Sequence, residues 1–318
     1  MKKLICVILS VLMTVSLFAA CGGDADDGVT KVAIVQQLDH SSLDEICAAV
    51  QAQFEGEQYQ VKVYNGQNDG SVLNQIGTEI VSEEYDIIIP IATNAAQIMV
   101  TAAEGTEIPI VFAAVSDPAG AGLTGIPTVT GVSDALNTAF IMDMMFAAQP
   151  DIQTVGLLYS NSEINSEAPI AEAKAYLDAK GIAYLEKTGN NSGEIITAAS
   201  DLVGRVDAVF TPTDNIVMAA EASIAEIFNE AGIPHYTGAD SFVTAGAFAT
   251  CGVNYTELGT KAGQMALEIL NGGEIGEFVI MDGGIITVNT ETAETVGIDY
   301  SVFKEMANTI IGVVTTAE

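Results

Sequence analysis

Two matching stretches of the chain decide its fold: Asp86-Ile87-Ile88-Ile89 leading to Thr93-Asn94, and Asp207-Ala208-Val209-Phe210 leading to Asp214-Asn215. They lie 121 residues apart. In each, an aspartate precedes a short apolar run, and polar residues that favour helix starts follow it. A short apolar run bounded by turn residues is typical of a buried strand. The pattern predicts the same strand-to-helix unit twice.

The repetition extends outward from these stretches. Val32–Gln36 matches Val155–Tyr159 at an offset of 123 residues, and Ile108-Pro109 matches Ile233-Pro234 at an offset of 125. Three matches in one order, with nearly equal offsets, indicate a duplicated topology. We therefore expect an α/β protein of two similar lobes, each a parallel sheet flanked by helices.

Short apolar runs alternate with helical patterns from Lys31 onward, which predicts βαβ units with right-handed crossovers. The predicted strands are Val32–Val35, Gln60–Tyr64, Asp86–Ile89, Pro109–Ala113, Val129–Val132, Thr154–Tyr159, Ala183–Lys187, Asp207–Thr211, Pro234–Tyr236 and Ala247–Gly252. The predicted helices include Leu43–Phe54, Leu73–Ser82, Ala95–Glu104, Glu163–Ala179 and Val217–Ala231.

The composition excludes several functions. The 318 residues carry 10 Lys+Arg against 42 Asp+Glu, a net charge of -32. So acidic a chain is repelled by nucleic acid. We expect no cofactor: Gly120–Gly125 matches G-x-G-x-x-G by letters, but Pro118 precedes it and no helix is predicted after it. We also expect no metal, because His40 lacks enough further ligands and His235 reads as a core residue.

The first residues read as a targeting segment. A basic start is followed by an apolar run that ends before Cys21, which resembles a bacterial lipoprotein signal. We expect a signal peptide over 1–20, lipid attachment at Cys21 and a flexible tether over 21–30. An ordinary signal peptide and an uncleaved anchor helix are the alternatives. Two thiols remain, Cys47 and Cys251, expected to be buried and free, although a disulfide is possible in an exported protein.

Polar side chains gather where the predicted strands end. Ligands of open α/β sheets bind beyond the carboxyl ends of the strands, so we expect one cleft between two facing lobes. The candidate ligand-binding residues are Gln36, Gln37, Thr93, Asn94, Ser116, Asp117, Ser133, Asp134, Tyr159, Asn161, Asn165, Thr213, Asp214, Asn215, Asp240 and Ser241.

The chemistry of this edge fits a free amino acid. Helix starts at Thr93-Asn94, Asn161-Ser162 and Asp214-Asn215 offer backbone N–H groups to a carboxylate. Asp117, Asp134, Asp214 and Asp240 offer negative charge to an ammonium group. Each residue alone is equally well explained as a helix cap. Clustering at the same edge in both halves favours a site.

Taken together, several stretches carry a family resemblance: Gln36–His40, Ile91–Gln97, Val111–Pro118, Val129–Asp134, Tyr159–Ser166 and Pro212–Asn215. The sequence resembles the substrate-binding lipoproteins of ABC transporters of the tryptophan/tyrosine-uptake type, within the type I periplasmic-binding-protein fold. The resemblance implies a monomer that closes on one small ligand, most simply an aromatic amino acid, and gives it to an ABC permease with a separate ATPase. Tyr159 or Tyr236 would then stack on the ligand's ring, and ordinary core or rim packing is the alternative for each.

The same resemblance implies three crossings between lobes, placed near Asp134, Gly252 and Ile285. Lobe 1 is then 31–134 plus 253–285, and lobe 2 is 135–252 plus 286–318. The expected location is the extracytoplasmic face of the cell membrane, held only through the N-terminal lipid.

Three other functions stay open from the residues. They are a surface-anchored ligand sensor, a sugar or nucleoside binder of the same fold, and a hydrolase using paired carboxylates such as Asp117 and Asp240. We expect no enzyme, because paired carboxylates alone are a weak signal.

Overall fold

The computed structural model describes residues 28–315. The expected signal peptide, the lipid site Cys21 and most of the tether lie outside these residues. Within the described part of the chain, no helix is both long and apolar enough to cross a membrane.

The first sheet has six strands, with the spatial order β11-β5-β4-β3-β1-β2. Its strands are β1 (Thr30–Gln36), β2 (Tyr59–Asn65), β3 (Ile87–Ile91), β4 (Ile110–Ala113), β5 (Val129–Ser133) and β11 (Val279–Ile280). Its helices are α1 (Ser41–Gln51), α2 (Gly70–Ser82), α3 (Thr93–Ala102) and α10 (Tyr255–Leu270). We call this unit lobe 1.

The second sheet has seven strands, with the order β13-β12-β10-β9-β8-β6-β7. Its strands are β6 (Thr154–Ser160), β7 (Ala183–Gly189), β8 (Ala208–Thr211), β9 (His235–Thr237), β10 (Ala249–Gly252), β12 (Ile285–Asn289) and β13 (Thr309–Val313). Its helices are α4 (Thr138–Ala148), α5 (Glu167–Lys180), α6 (Ser192–Ser200), α7 (Asn215–Met218), α8 (Glu221–Glu230), α9 (Asp240–Thr244) and α11 (Thr290–Val296). We call this unit lobe 2.

Strand pairing follows the predicted parallel pattern with one exception. β12 pairs antiparallel with β10, from Ala249 opposite Val288 to Gly252 opposite Ile285. A parallel pair of strands within one sheet is joined by a long crossover connection. The chain instead reaches β12 through a short link from β11, which lies in the other lobe. The sequence analysis did not identify β11, β12 or β13.

The chain passes between the sheets after β5, after β10 and after β11. Ile285, placed at the end of lobe 1 by the sequence analysis, is instead the first residue of β12 and pairs in the second sheet.

The helix predicted over Val217–Ala231 is wrong as one element. The structure divides it into α7 and α8, with a turn at Ala219 and Ala220, where Ala220 N donates to Val217 O at 2.9 Å. The break begins a new helix at Glu221, whose carboxylate contacts His235 Nδ1 at 3.0 Å. No glycine or proline marks this turn in the sequence, so the local pattern gave no signal for it.

The duplicated aspartates serve the same purpose in both lobes. Asp86 Oδ2 accepts from Lys31 N at 2.7 Å, and Asp207 Oδ2 accepts from Thr154 N at 2.9 Å. Each carboxylate therefore fixes the start of the neighbouring strand. The apolar interiors of both sheets are fully buried, including Ile34 and Ile89 in lobe 1 and Val209 in lobe 2.

Candidate functional site

A cavity lies between the two lobes, at the carboxyl ends of the strands. About 390 Å³ between its lining atoms is unoccupied, a volume that includes space open to solvent. Its walls are formed by His40, Ser42, Leu43, Ala92, Thr93, Ala114, Ser116, Asp134, Asn165, Thr213, Asp214, Asn215, Met218, Ala239, Ser241, Phe242 and Tyr255. Among these described lining residues, none is a lysine or an arginine.

Side-chain hydrogen bonds join the lobes around this cavity. They are Gln37 Nε2 to Glu163 Oε1 at 2.9 Å, His40 Nε2 to Asn215 Oδ1 at 3.3 Å, Ser42 Oγ to Asp240 Oδ1 at 3.1 Å, and Ser116 Oγ with Thr213 Oγ1 at 3.0 Å. The lobes are thus in direct contact on several sides of the cavity.

The amino end of α3 opens onto the cavity at Ala92 and Thr93. Ala92 has φ +76° and Ala114 has φ +55°, the left-handed region that non-glycine residues rarely adopt. Such backbone strain concentrates at ligand sites. A helix start at the wall of a cavity provides N–H groups and a partial positive charge for an anionic group.

Three polar atoms of lining residues are buried and have no hydrogen-bond partner within residues 28–315. They are His40 Nδ1, Asn165 Oδ1 and Ser241 Oγ. A buried polar atom without a partner costs free energy, so native proteins retain few of them. Three around one cavity indicate that a ligand completes the hydrogen bonding.

The acidic residues differ in how they are used. Asp214 is fully buried, and its carboxylate accepts from Ser160 N, Ser166 Oγ and Val217 N at 2.7–3.0 Å. These contacts explain Asp214 as a helix cap. Asp134 accepts from Ser116 Oγ at 2.9 Å, and burial raises the pKa of its carboxyl group. Burial likewise raises the pKa of Asp240, which contacts Ser42 across the lobes.

Comparison with known proteins decides the family. The model of the ABC transporter substrate-binding protein family matches residues 31–308. The chain belongs to this family. The tyrosine-binding protein of Clostridioides difficile is 29% identical, with 92% of this chain and 91% of that protein covered.

Two solved structures are also similar. An ABC domain in complex with L-Trp from Streptococcus pneumoniae is 28% identical, covers 89% of this chain and 100% of its own, and has a TM-score of 0.83. The ligand-free, open structure of a substrate-binding protein with adhesive properties from Clostridium difficile is 30% identical, covers 91% of this chain and 100% of its own, and has a TM-score of 0.68.

The substrate-binding protein therefore has the type I periplasmic-binding-protein fold, and the family is not one of enzymes. Its structure overlays better on the L-Trp complex than on the open, ligand-free relative, although both relatives are similar in identity. The hydrogen bonds between the lobes show that they meet around the cavity. Family membership also makes it an extracytoplasmic component of an ABC system, with a small-molecule ligand and a permease partner.

Half of the predicted ligand-binding residues line the cavity of the binding protein: Thr93, Ser116, Asp134, Asn165, Thr213, Asp214, Asn215 and Ser241. The others lie outside its lining: Gln36, Gln37, Asn94, Asp117, Ser133, Tyr159, Asn161 and Asp240. Of these, Gln37 and Asp240 join the lobes at its edge.

The remaining outer residues have partners of their own. Asp117 caps Gly120 N at 2.9 Å, Tyr159 OH donates to Glu186 at 2.8 Å, and Asn161 Nδ2 donates to Thr188 at 3.1 Å. Gln36 Nε2 donates to Asp44 Oδ1, and Gln37 Oε1 accepts from Asn94 N. Ser133 Oγ donates to Ser116 O.

The predicted aromatic partners are not at the cavity. Tyr236 is fully buried in lobe 2, where its ring meets Phe248 edge-on at 5.2 Å, and Tyr159 points to Glu186. Phe242 and Tyr255 line the cavity instead. Phe242 follows Asp240 and Ser241 at the start of α9, and Tyr255 is the first residue of α10. The sequence analysis considered only polar residues as ligand contacts in the segments that follow the strands.

Sequence reasoning also missed Glu163 and His40 as parts of the site. Glu163 is 2% exposed and hydrogen-bonded across the lobes. It was counted as the start of a helix, whereas a 3₁₀ turn over Ile164–Ser166 precedes α5. Its position inside the family stretch Tyr159–Ser166 was the available signal.

The remaining histidine and the two cysteines of the described chain are buried within the lobes. His235 is buried between Glu221 and Thr211, as expected for a core histidine. Cys47 and Cys251 are buried and free. The part of the chain that the structure describes holds no cluster of three or more His, Cys, Asp or Glu suited to a metal ion.

Proposed function

We propose that this protein captures a free aromatic amino acid in the interlobe cavity and delivers it to an ABC permease driven by a separate ATPase. The observation that carries the proposal is an interlobe cavity with an acidic group, a helix start and aromatic walls, and with unpaired polar atoms in its lining. The relatives named for tyrosine and L-Trp support the same ligand class.

The apolar part of the lining suits a ring. Leu43 comes from lobe 1 and Met218 and Phe242 come from lobe 2, while Tyr255 begins the helix after the second crossing. Aromatic pairs contribute about 0.5–1.5 kcal/mol beyond the burial of apolar area. A ligand ring between these side chains therefore gains affinity only when the lobes close.

The polar part of the lining suits the backbone of an amino acid. Asp134 is the carboxylate in the wall whose known contacts leave it free for an ammonium group, because Asp214 is occupied by its helix cap. The start of α3 at Thr93 is the place for the carboxylate. We propose that Ser116, Asn165, Thr213, Asn215 and Ser241 complete the contacts.

Thermal unfolding of a soluble form beginning at Gly22 tests the ligand class. The panel contains L-tyrosine, L-tryptophan, L-phenylalanine, aliphatic amino acids, sugars and nucleosides. A ligand at about 1,000 times its Kd adds about 4 kcal/mol to the native state, which raises Tm by several degrees. We expect that shift with an aromatic amino acid, recovered unchanged. A shift with a sugar or nucleoside alone would contradict the proposal.

We also propose that Cys21 carries a lipid that holds the protein on the extracytoplasmic face of the membrane. The apolar run before Cys21 and the polar tether after it support this role. Growth with an alkynyl fatty acid should label the wild type and leave Cys21→Ser unlabelled and released from membranes. Equal labelling of both proteins would overturn the lipid assignment.

We propose further that the protein acts as a monomer. The described residues around the cavity all come from one chain, so capture requires no second copy. Sedimentation should give the mass of one chain with and without ligand, and a ligand-dependent dimer would contradict this.

A further inference from the structure

Glu163 is a buried carboxylate at the junction of the lobes that does not itself line the cavity. Its Oε1 accepts from Gln37 Nε2 at 2.9 Å. Its Oε2 accepts from Asn165 Nδ2 at 3.0 Å, from Asn215 N at 3.0 Å and from Asn215 Nδ2 at 2.8 Å. Two asparagine side chains of the cavity wall therefore turn toward one acceptor.

This arrangement fixes the direction of the Asn165 amide. The Oε2 atom that faces Asn165 also accepts from Asn215 N, so this oxygen is an acceptor and the NH₂ group of Asn165 must face it. The same NH₂ group donates to Thr213 O at 2.7 Å, and a carbonyl oxygen also only accepts. Both contacts exclude the flipped amide. Asn165 Oδ1 is left buried, with no protein partner in the described chain.

The same carboxylate sets the tautomer of His40 through Asn215. Because Asn215 Nδ2 faces Glu163, its Oδ1 faces His40 Nε2 at 3.3 Å. An amide oxygen only accepts, so His40 Nε2 carries the proton. Burial lowers the pKa of His40, which favours the neutral ring. His40 Nδ1 is then a bare lone pair, buried and unpaired within residues 28–315.

Asn165 and His40 therefore each present a hydrogen-bond acceptor, and not a donor, to the cavity. Asp134 adds a carboxylate to the same wall, and the described lining has no basic side chain. A ligand group that matches this set must bring several N–H donors and a positive charge. A primary ammonium group has both properties, whereas a hydroxyl group brings one donor and no charge.

We infer that Glu163 is a positioning residue that sets the hydrogen-bond polarity of the cavity, so that Asn165 Oδ1 and His40 Nδ1 accept from the ammonium group of the ligand. The inference rests on the proposed function, since it assumes an amino acid as cargo. Glu163 acts through Asn165 and Asn215 and makes no ligand contact of its own. It selects amines over otherwise identical molecules that lack the amino group.

Calorimetric titration tests this selection with two ligand pairs. The pairs are L-tyrosine with 3-(4-hydroxyphenyl)propanoate, and L-tryptophan with indole-3-propanoate. Glu163→Ala removes one of the two acceptors that hold the Asn165 amide and the side-chain acceptor that holds the Asn215 amide. We expect it to weaken amino-acid binding by about tenfold to hundredfold while the analogue without the amino group changes by less than about threefold.

Glu172→Gln is the matched control, because Glu172 is an exposed carboxylate on α5 nearby in sequence. It should leave all affinities unchanged. If Glu163→Ala weakened both members of each pair equally, Glu163 would have only a structural role and the inference would be wrong.

Nuclear magnetic resonance of the wild type tests the relay without any variant. The chain has two histidines, so their ring carbons and nitrogens are readily distinguished. The ring shifts should show His40 with its proton on Nε2, while His235, whose Nδ1 faces Glu221, carries a proton on Nδ1. Addition of the amino acid should move His40 Nδ1, and the analogue without the amino group should not.

A neutral His40 with its proton on Nδ1 would overturn the relay. This result is independent of cargo: if no amino acid binds, the proposed function fails, yet the tautomer of the ligand-free protein still decides whether Glu163 orients the wall.

Discussion

Asp134 and Asp214 are both buried residues in the cavity wall. Their carboxylates have different hydrogen-bond partners, and this difference indicates different roles. The carboxylate of Asp214 accepts hydrogen bonds from three donors of its own lobe. These bonds fix the turn after β8 and the start of α7. Asp134 has Ser116 as its side-chain donor. We therefore expect Asp214 to have a structural role and Asp134 to bind the ligand.

Replacement of Asp134 by asparagine should weaken binding of an aromatic amino acid by about tenfold or more. A hydrogen bond to a charged group contributes about 1.5–3 kcal/mol, and the neutral amide keeps only part of that. Asp117→Asn is the control, since Asp117 caps a loop outside the cavity. Titration calorimetry gives both values. Equal losses in the two variants would contradict the assignment of Asp134.

The pH dependence of stability should report on Glu163. Burial, followed by the nearby Asp214 charge, raises the pKa of Glu163 from 4.5 to about 7. Between these values the native state binds this proton more tightly than the unfolded chain does. Stability therefore falls as pH rises through this window. Tm should decrease from about pH 5 to pH 7.5.

Glu163→Gln cannot titrate, so its Tm should decrease less over the same range. A smaller slope will persist, because burial also raises the pKa values of Asp134 and Asp240. Identical slopes in the variant and the wild type would show that Glu163 does not titrate in this window.

At the scale of elements, the sequence predicted what local patterns determine. Buried strands such as β3 and β8 were found because short, mainly apolar runs of four or five residues between turns are typical of buried strands. The division between α7 and α8 was missed because Ala219 and Ala220, which form the turn, are strong helix formers. β11 has two residues, too few to leave a period in the sequence.

The site was predictable to a similar extent. Polar residues after strands were found because parallel strands end at one edge. Phe242 and Tyr255 in the cavity wall, and Glu163 at the contact between the lobes, were not found, since their places depend on how the lobes meet. Tyr236 failed as a ring partner because strand alternation turns it into the lobe 2 core, against Phe248.

α1 and α10 pack closely enough that one glycine is required between them. A Cβ atom on Gly259 would lie 2.5 Å from Ile46 O and 2.9 Å from Ala49 Cβ. Alanine in a helix interior ordinarily gains about 0.5–1 kcal/mol over glycine. Here we expect Gly259→Ala to lower the free energy of unfolding by about 1–3 kcal/mol instead.

Urea unfolding measures this change. Gly276→Ala is the control, because no atom lies within 4 Å of its added Cβ. A stabilised Gly259→Ala protein would mean that α1 and α10 are further apart than the structure shows.

At the scale of the whole molecule, closure assembles the site from two lobes. Gln37 contributes to closure without lining the cavity, since it reaches Glu163 from lobe 1. Gln37→Leu should therefore raise the apparent Kd of the amino acid and of its analogue without the amino group by the same factor, about threefold to tenfold.

This uniform loss distinguishes a closure residue from the selective loss expected of Glu163→Ala. Gln60→Leu, at an exposed position on β2, is the control. Calorimetry of both ligands decides between the two roles, and a loss confined to the amino acid would assign Gln37 to recognition instead.

The crystal structure of the protein grown with the aromatic amino acid that most raises its Tm tests the central claim most directly. The account predicts the ligand between the lobes, with its ring against Phe242 and Tyr255 and its ammonium nitrogen about 2.7–3.0 Å from Asp134. A ligand bound outside this cavity, or bound there with its carboxylate at Asp134, would contradict the account.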